Sequence, residues 1–347
     1  MQIEPFEELV EELCSERCAG RASGTEGGRL AREVVVRALR EAGLDPSEQA
    51  VPGCGGANVL ASIPPNGVDR WVLVGAHFDH LGRGREGIFA GADDNAAAVA
   101  ILVEVARSLV KARPDGRGVL FAAFDGEEPP HFSTDSMGSQ AFVRAPTVPL
   151  DRLDMMICMD LVGHRFGPDA LPDEVGESLF ALGAERSAGT LAEVQRLATA
   201  EPSVRVRAAD VEIIPPLSDY EPFWKARVPF LFLTAGRSRV YHTVEDRPEL
   251  LDWKKMRATA RWLERFVRTS CARSESPVEF VAHGSAHRET LAGLAQIVDA
   301  LPALPPVRQA RDAITELAAA CDKDGRLPER AEARLRTLVM MLEQSLA

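Results

Sequence analysis

Two adjacent carboxylates, Glu127 and Glu128, close the run "FAAFDGEE", where an apolar stretch breaks off into acid. Like charges side by side at the end of a buried strand repel and are costly to desolvate, so a fold that keeps them there must set something positive between them: a metal, a basic partner or water. Similar breaks recur along the chain. His77 and Asp79 follow "RWVLVGA" in "HFDHLG", Asp160 closes "MMICMD", and His242 follows "FLFLTAG" in "YHTVED". Asp93, Asp94 and Asn95 lie between a glycine and the start of a helical run. A lone histidine is more often a satisfied structural residue, and Asp94-Asn95 ahead of an alanine-rich segment is by itself a helix cap. Jointly, imidazoles and carboxylates from five loops supply mixed nitrogen and oxygen ligands of the kind that hold two zinc ions.

For these groups to meet, their elements must converge on one crevice. "TEGGRLAREVVVRALREAG" (25–43) and "NAAAVAILVEVARSLVKA" (95–112) carry helical spacing. "ANVLASI", "RWVLVGA", "GVLFAAF", "LDMMICM", "ESLFALGA" and "VPFLFLTAG" read as strands, and further helices fall near 187–200, 219–226 and 252–270. This alternation predicts an α/β fold, a three-layer α/β/α arrangement around a largely parallel mixed central sheet. In such a sheet the working groups gather at the carboxyl ends of strands, where the residues above are placed. The catalytic domain is expected over 1–271. After the polar connection "ARSESPVEF", a helical C-terminal appendage is expected over 285–347, with helices at 288–301, 305–322 and 327–346. Its apolar stripes must bury on the catalytic domain, on a partner or on a second copy, so a homo-oligomer through these helices is one expectation.

With 347 residues, 46% of them hydrophobic, the chain can build a sizeable core. A formal net charge of -12 argues against nucleic acid or an anionic membrane as partner, since either needs a basic face. The sequence shows no basic leader followed by an apolar core and no bilayer-length apolar run, so a soluble, cytoplasmic protein is expected. Six cysteines without a CxxC pair suit reduced, mostly buried thiols; Cys14 and Cys18 are expected to share a helix face.

Over roughly residues 16–270 the sequence resembles the M28 family of zinc aminopeptidases. The resemblance rests on six ordered motifs: "CAGRASGTEGGRLA", "GAHFDHLG", "GADDNAAAVA", "FDGEE", "MDLVG" and "YHTVED". It implies Asp94 as a carboxylate shared by two zinc ions, His77 and Asp160 as the other ligands of one, and Glu128 and His242 as those of the second. It implies Glu127 as the free general base, Asp79 as the residue orienting the His77 ring, and Tyr241 as a donor to the oxyanion. Asp219 matches a family aspartate near the substrate; its plain reading is a helix cap. Peptide substrates with an unblocked N-terminus follow from the same resemblance. The segment "PPHFSTDSMGSQAF" is longer than the usual aminopeptidase form and resembles the loop of animal-type glutaminyl cyclases, which share the fold but bind one zinc. A cyclase is therefore the alternative reading, and a non-catalytic relative a third. His80, His131, His164, His283 and His287 carry no expected metal role.

Overall fold

The computed structural model describes residues 4–302 and 304–346. Eight strands form one mixed sheet: β1 (Ser47–Val51), β2 (Gly56–Ile63), β3 (Gly67–His77), β4 (Gly116–Phe124), β5 (Leu153–Met159), β6 (Ser178–Leu182), β7 (Arg205–Ala209) and β8 (Phe230–Thr234). Their spatial order is β1-β2-β4-β3-β5-β8-β6-β7. The four central strands, β4, β3, β5 and β8, run parallel. On one side β2 and β1 add antiparallel, and on the other β6 runs antiparallel to β8 with β7 parallel to β6.

The central strands are buried on both faces, which is why they read as continuous apolar runs rather than alternating ones. Their side chains nonetheless divide with period two. Val119, Phe121 and Ala123 of β4 and Met155, Ile157 and Met159 of β5 face one layer, whereas Leu120, Ala122, Phe124, Met156 and Cys158 face the other. The first layer holds helices α1 (Pro5–Leu13), α2 (Glu26–Glu41) and α3 (Ala97–Lys111), and the second holds α4 (Gly138–Arg144). After the single turn α5 (Asp173–Gly176), α6 (Thr190–Leu197) packs in the first layer and α7 (Tyr220–Lys225) in the second; α8 (Trp253–Cys271) completes the first. Helix α2 shows why such a segment is helical. Thr25 accepts a hydrogen bond from the Gly28 amide at its start, and Ala31, Val34, Val35, Ala38 and Leu39 form one buried stripe.

Two strands, β1 and β7, were not expected from the sequence. Both end the sheet, where "SEQAV" and "RVRAA" can carry polar and charged residues that a central strand would exclude. Cys14 and Cys18 do not share a helix face, because α1 stops at Leu13 and the chain turns between them. The cysteines are all free thiols.

The C-terminal helices are α9 (His287–Asp299), α10 (Pro305–Ala320) and α11 (Glu329–Leu346). They bury Leu291, Val298, Ile314, Leu317, Leu335 and Leu338 among themselves, with Ile213 of the catalytic body packed against that cluster. Helix α9 lies against β7. There the Asp210 amide donates to Thr290 Oγ1 at 2.8 Å, and the Asp210 carboxylate accepts the Ala286 amide at 2.8 Å. The polar connection is also bound down: buried Arg117 donates to the carbonyls of Cys271, Arg273 and Glu275. No helix among the described residues is long and apolar enough to cross a membrane.

Candidate functional site

The carboxyl ends of β4, β3, β5 and β8 are neighbours, so four loops distant in sequence open into one crevice. His77 is the last residue of β3, Glu127 and Glu128 follow β4 by a short turn, Asp160 follows β5, and His242 lies on the loop after β8. Asp94 comes from the segment before α3. It is not a helix cap, since its backbone is extended (φ -110, ψ 84) and its side chain caps no helical amide.

Two clusters result, His77 with Asp94 and Asp160 and His80 with Asp94 and Glu128, so Asp94 belongs to both, and His242 lies beside the second. On one side His77 Nε2 stands 3.5 Å from Asp94 Oδ1 and 3.5 Å from Asp160 Oδ1. On the other, His242 Nε2 stands 3.2 Å from Asp94 Oδ2 and 3.3 Å from Glu128 Oε2. Ligand atoms arranged tetrahedrally around zinc at about 2.0–2.2 Å are about 3.3–3.6 Å from one another. The His77 and Asp160 spacings are too long for good hydrogen bonds and fit ligands that share a cation. His77 Nε2 and Asp160 Oδ1 are also buried without a hydrogen-bond partner, as is His80 Nε2. Buried polar atoms left so are rare, and a cation supplies what they lack. Glu127 belongs to neither cluster; its Oε2 lies 3.8 Å from His77 Nε2.

The electrostatics agree with this division. Burial drives the Glu127 proton affinity well above the usual carboxylate range, and Asp160, Asp219 and Glu128 add to it against His77. Burial acts the same way on Glu128, yet hydrogen bonds from His242 and His80 overcome it and pull that carboxyl far down. For His77, burial favours the neutral ring, but the charges of Glu127, Asp160 and Asp94 win and raise it. His242 is raised to about 10 by Asp94 and Glu128 against burial. The raised groups, Glu127 and Asp160 among the carboxyls and His77 and His242 among the rings, thus favour protons that a cation would replace.

The supporting contacts differ in part from expectation. The Asp79 carboxylate accepts the Glu127 amide at 3.0 Å and the Glu128 amide at 3.1 Å, so it fixes the two-glutamate turn. Its carboxylate is 3.7 Å from His77 Nδ1, and the nearer partner of that nitrogen is the Asp79 carbonyl oxygen at 3.2 Å. His80, for which no metal role was expected, places Nδ1 2.7 Å from Glu128 Oε1 and sits with Asp94 and Glu128 in the second cluster. Asp246 accepts the amides of Asp93 and Asp94 at 2.9 and 3.1 Å, and Asp93 grips His164 at 2.6 Å. Arg21, fully buried, donates to the carbonyls of Leu13, Phe78, Ala90 and Gly91, tying the His77 loop to the Asp94 turn. Tyr241 stacks on the His242 ring with centroids 3.9 Å apart, and the Arg237 guanidinium lies 5.3 Å from the Tyr241 ring centroid. Burial raises its phenol so far that it stays a donor at any ordinary pH. Asp219 begins α7 but caps nothing; it is buried near Glu127 and Asp160, and burial lifts it to about 6.

The sequence pattern of peptidase family M28 matches residues 58–267, more than half of the chain. The chain belongs to peptidase family M28. Among curated proteins, it is 26% identical over 247 residues to the uncharacterized protein YfbL of Escherichia coli (strain K12), covering 65% of this chain and 75% of that one. Among solved structures, it is similar to a glutaminyl cyclase of Porphyromonas gingivalis (TM-score 0.62, 21% identity, 76% of this chain and 96% of that one). LapB of Legionella pneumophila is similar at TM-score 0.64 and 18% identity, over 78% and 73% of the two chains. A zinc-dependent exopeptidase of Parabacteroides distasonis follows at 0.60 and 20%, over 77% and 97%. At these identities the structures establish a shared M28 and glutaminyl cyclase fold.

Proposed function

We propose that the chain is a zinc-dependent aminopeptidase with two ions, which hydrolyses the N-terminal bond of peptides bearing a free amine. One observation carries the reading: two ligand clusters share Asp94 through its opposite oxygens, and Glu127 stands outside both. His77, Asp94 and Asp160 would hold one zinc, and Asp94, Glu128 and His242 the other, with His80 supporting or completing the second set. When bound, zinc supplies Lewis acidity for the scissile carbonyl and lowers the pKa of an attacking water. Glu127 takes the proton of that water and passes it to the leaving amine, the work of a carboxylate free of metal and buried beside the reacting atoms. Tyr241 stays protonated and donates to the oxygen that gains charge. Glu127 and Asp160 are the acidic groups that would face the substrate's ammonium.

The test offers the zinc-loaded protein aminoacyl arylamides, N-acetylated controls and N-terminal glutaminyl peptides, with metal content read by elemental analysis. Close to two metals per chain and amine release confined to unblocked substrates are expected. Pyroglutamate formation without hydrolysis, at one zinc per chain, would replace this reading by glutaminyl cyclisation.

A further inference from the structure

A cavity of about 240 Å³ adjoins the candidate metal centre, with Glu127, Asp160 and Tyr241 among the residues that line it. On the sheet side its lining is apolar, from Phe180, Leu182 and Phe232. Its far wall comes from the C-terminal helices: Gly293, Leu294 and Ile297 of α9, and Val339, Leu342 and Leu346 of α11. The family match ends at residue 267, so this wall lies beyond it.

The chemistry of the wall selects its occupant. Arg207 lines the cavity, but its guanidinium is spent on Ser178 Oγ at 2.9 Å, the Glu174 carbonyl at 2.8 Å and Gln296, leaving chiefly aliphatic surface. Among the described residues, Glu343 is the one charged group that the two helices add. A cavity of roughly 150 Å³ with apolar walls accepts a benzene molecule, so this one has space for more than a phenyl ring. Gly293 keeps the space open. Glycine inside a helix costs about 0.5–1 kcal/mol relative to alanine. Here a Cβ would make only ordinary contacts, the nearest to Arg207 at 3.9 Å, so crowding by neighbours does not require glycine at this position. The cavity thus has room for one large apolar side chain beside the candidate metal centre, with α9 and α11 supplying part of its lining.

We infer that the C-terminal helices are part of the substrate site: α9 and α11 receive a large apolar side chain of the substrate's N-terminal residue and set the size selectivity of the enzyme. This rests on the peptidase reading above. The experiment compares the zinc-loaded full chain with Gly293→Phe, which fills the cavity, and Leu342→Ala, which enlarges it from the other helix. The substrates are the p-nitroanilides of alanine, leucine, phenylalanine and 2-naphthylalanine. In the unaltered chain kcat/KM should rise at least about tenfold from alanine to 2-naphthylalanine. Gly293→Phe should lower that ratio at least tenfold, and Leu342→Ala should shift preference toward the naphthyl substrate. A second readout is direct binding of free 2-naphthylalanine to the metal-free chain, which Gly293→Phe should abolish. Hydrolysis with a ratio that neither variant moves would overturn the inference and leave the peptidase reading intact. Size selectivity that follows the second residue in an Ala-X series would also overturn it. Binding that responds to the variants without hydrolysis of any substrate would support the wall and sink the peptidase reading.

Discussion

Glu127 and Glu128 are neighbours in the chain whose carboxylates meet different surroundings. Glu128 is held by His80 and lies within reach of His242, whereas Glu127 belongs to neither ligand cluster and is left free of the metal ligands. Glu127→Gln should therefore keep the full metal content and lose at least about a hundredfold in turnover. Glu128→Gln should release one metal on mild dialysis, read by elemental analysis beside the activity. Equal loss of metal from both variants would refute this division of labour. Most of the residues in the crevice were legible in the sequence, because they stand where an apolar strand breaks into acid or imidazole or, for Asp94, between a glycine and the start of a helix. Arg21, Asp93 and Asp246 fell within the stretches singled out, but their contacts were not legible. Their partners are backbone groups or side chains distant in sequence, such as Phe78 for Arg21 and Asp93 for Asp246, and no local spacing encodes such a contact. His80 was legible only as a loop histidine, since its bond to Glu128 spans 48 positions.

At the scale of elements, the site depends on how firmly the β3 loop and the Asp94 turn are joined. Arg21 joins them with a planar fork aimed at several carbonyls, a geometry that an ammonium cannot reproduce. Arg21→Met should leave those buried acceptors unpaired and cost about 3 kcal/mol or more in chemical denaturation. Arg21→Lys should recover only part of it. A loss under about 0.5 kcal/mol would mean that water replaces the guanidinium. A second junction, between the catalytic body and α9, carries a pH dependence. Burial, reinforced by Asp210, lifts Glu185 to about 8 from an ordinary value near 4.5. The folded state therefore holds a proton that the unfolded state has released, and stability falls as pH rises from about 4.5 through 8. Glu185→Gln keeps an acceptor for the Val211 amide and removes the titration. The variant should melt close to the parent at pH 5 and above it at pH 9. Parallel melting curves across that range would show that Glu185 ionises normally.

At the scale of the whole molecule, the apolar pattern foretold a layered sheet because strands buried on both faces leave long hydrophobic runs and their helices leave periodic stripes. It missed β1 and β7 because strands at the ends of a sheet need not be apolar. It also left three destinations open for the C-terminal stripes, since periodicity tells that a face is buried and not what buries it. In the fold they pack on one another and on the catalytic body, with Met340 and Met341 left exposed. Helix α9 covers β7, and Ile297 and Leu346 bury Leu171 and Val175 of the body. Removing residues 285–347 would thus uncover an end strand together with the apolar floor around Phe180 and Ile213. An uncovered end strand presents unpaired amides and carbonyls to other chains, and a contiguous apolar patch drives association. The shortened chain should therefore melt lower than the full chain and elute from a sizing column as multimers or aggregate. A shortened chain that stays monomeric, with an unchanged melting temperature, would show that the helices are a separable module rather than part of the same folded unit.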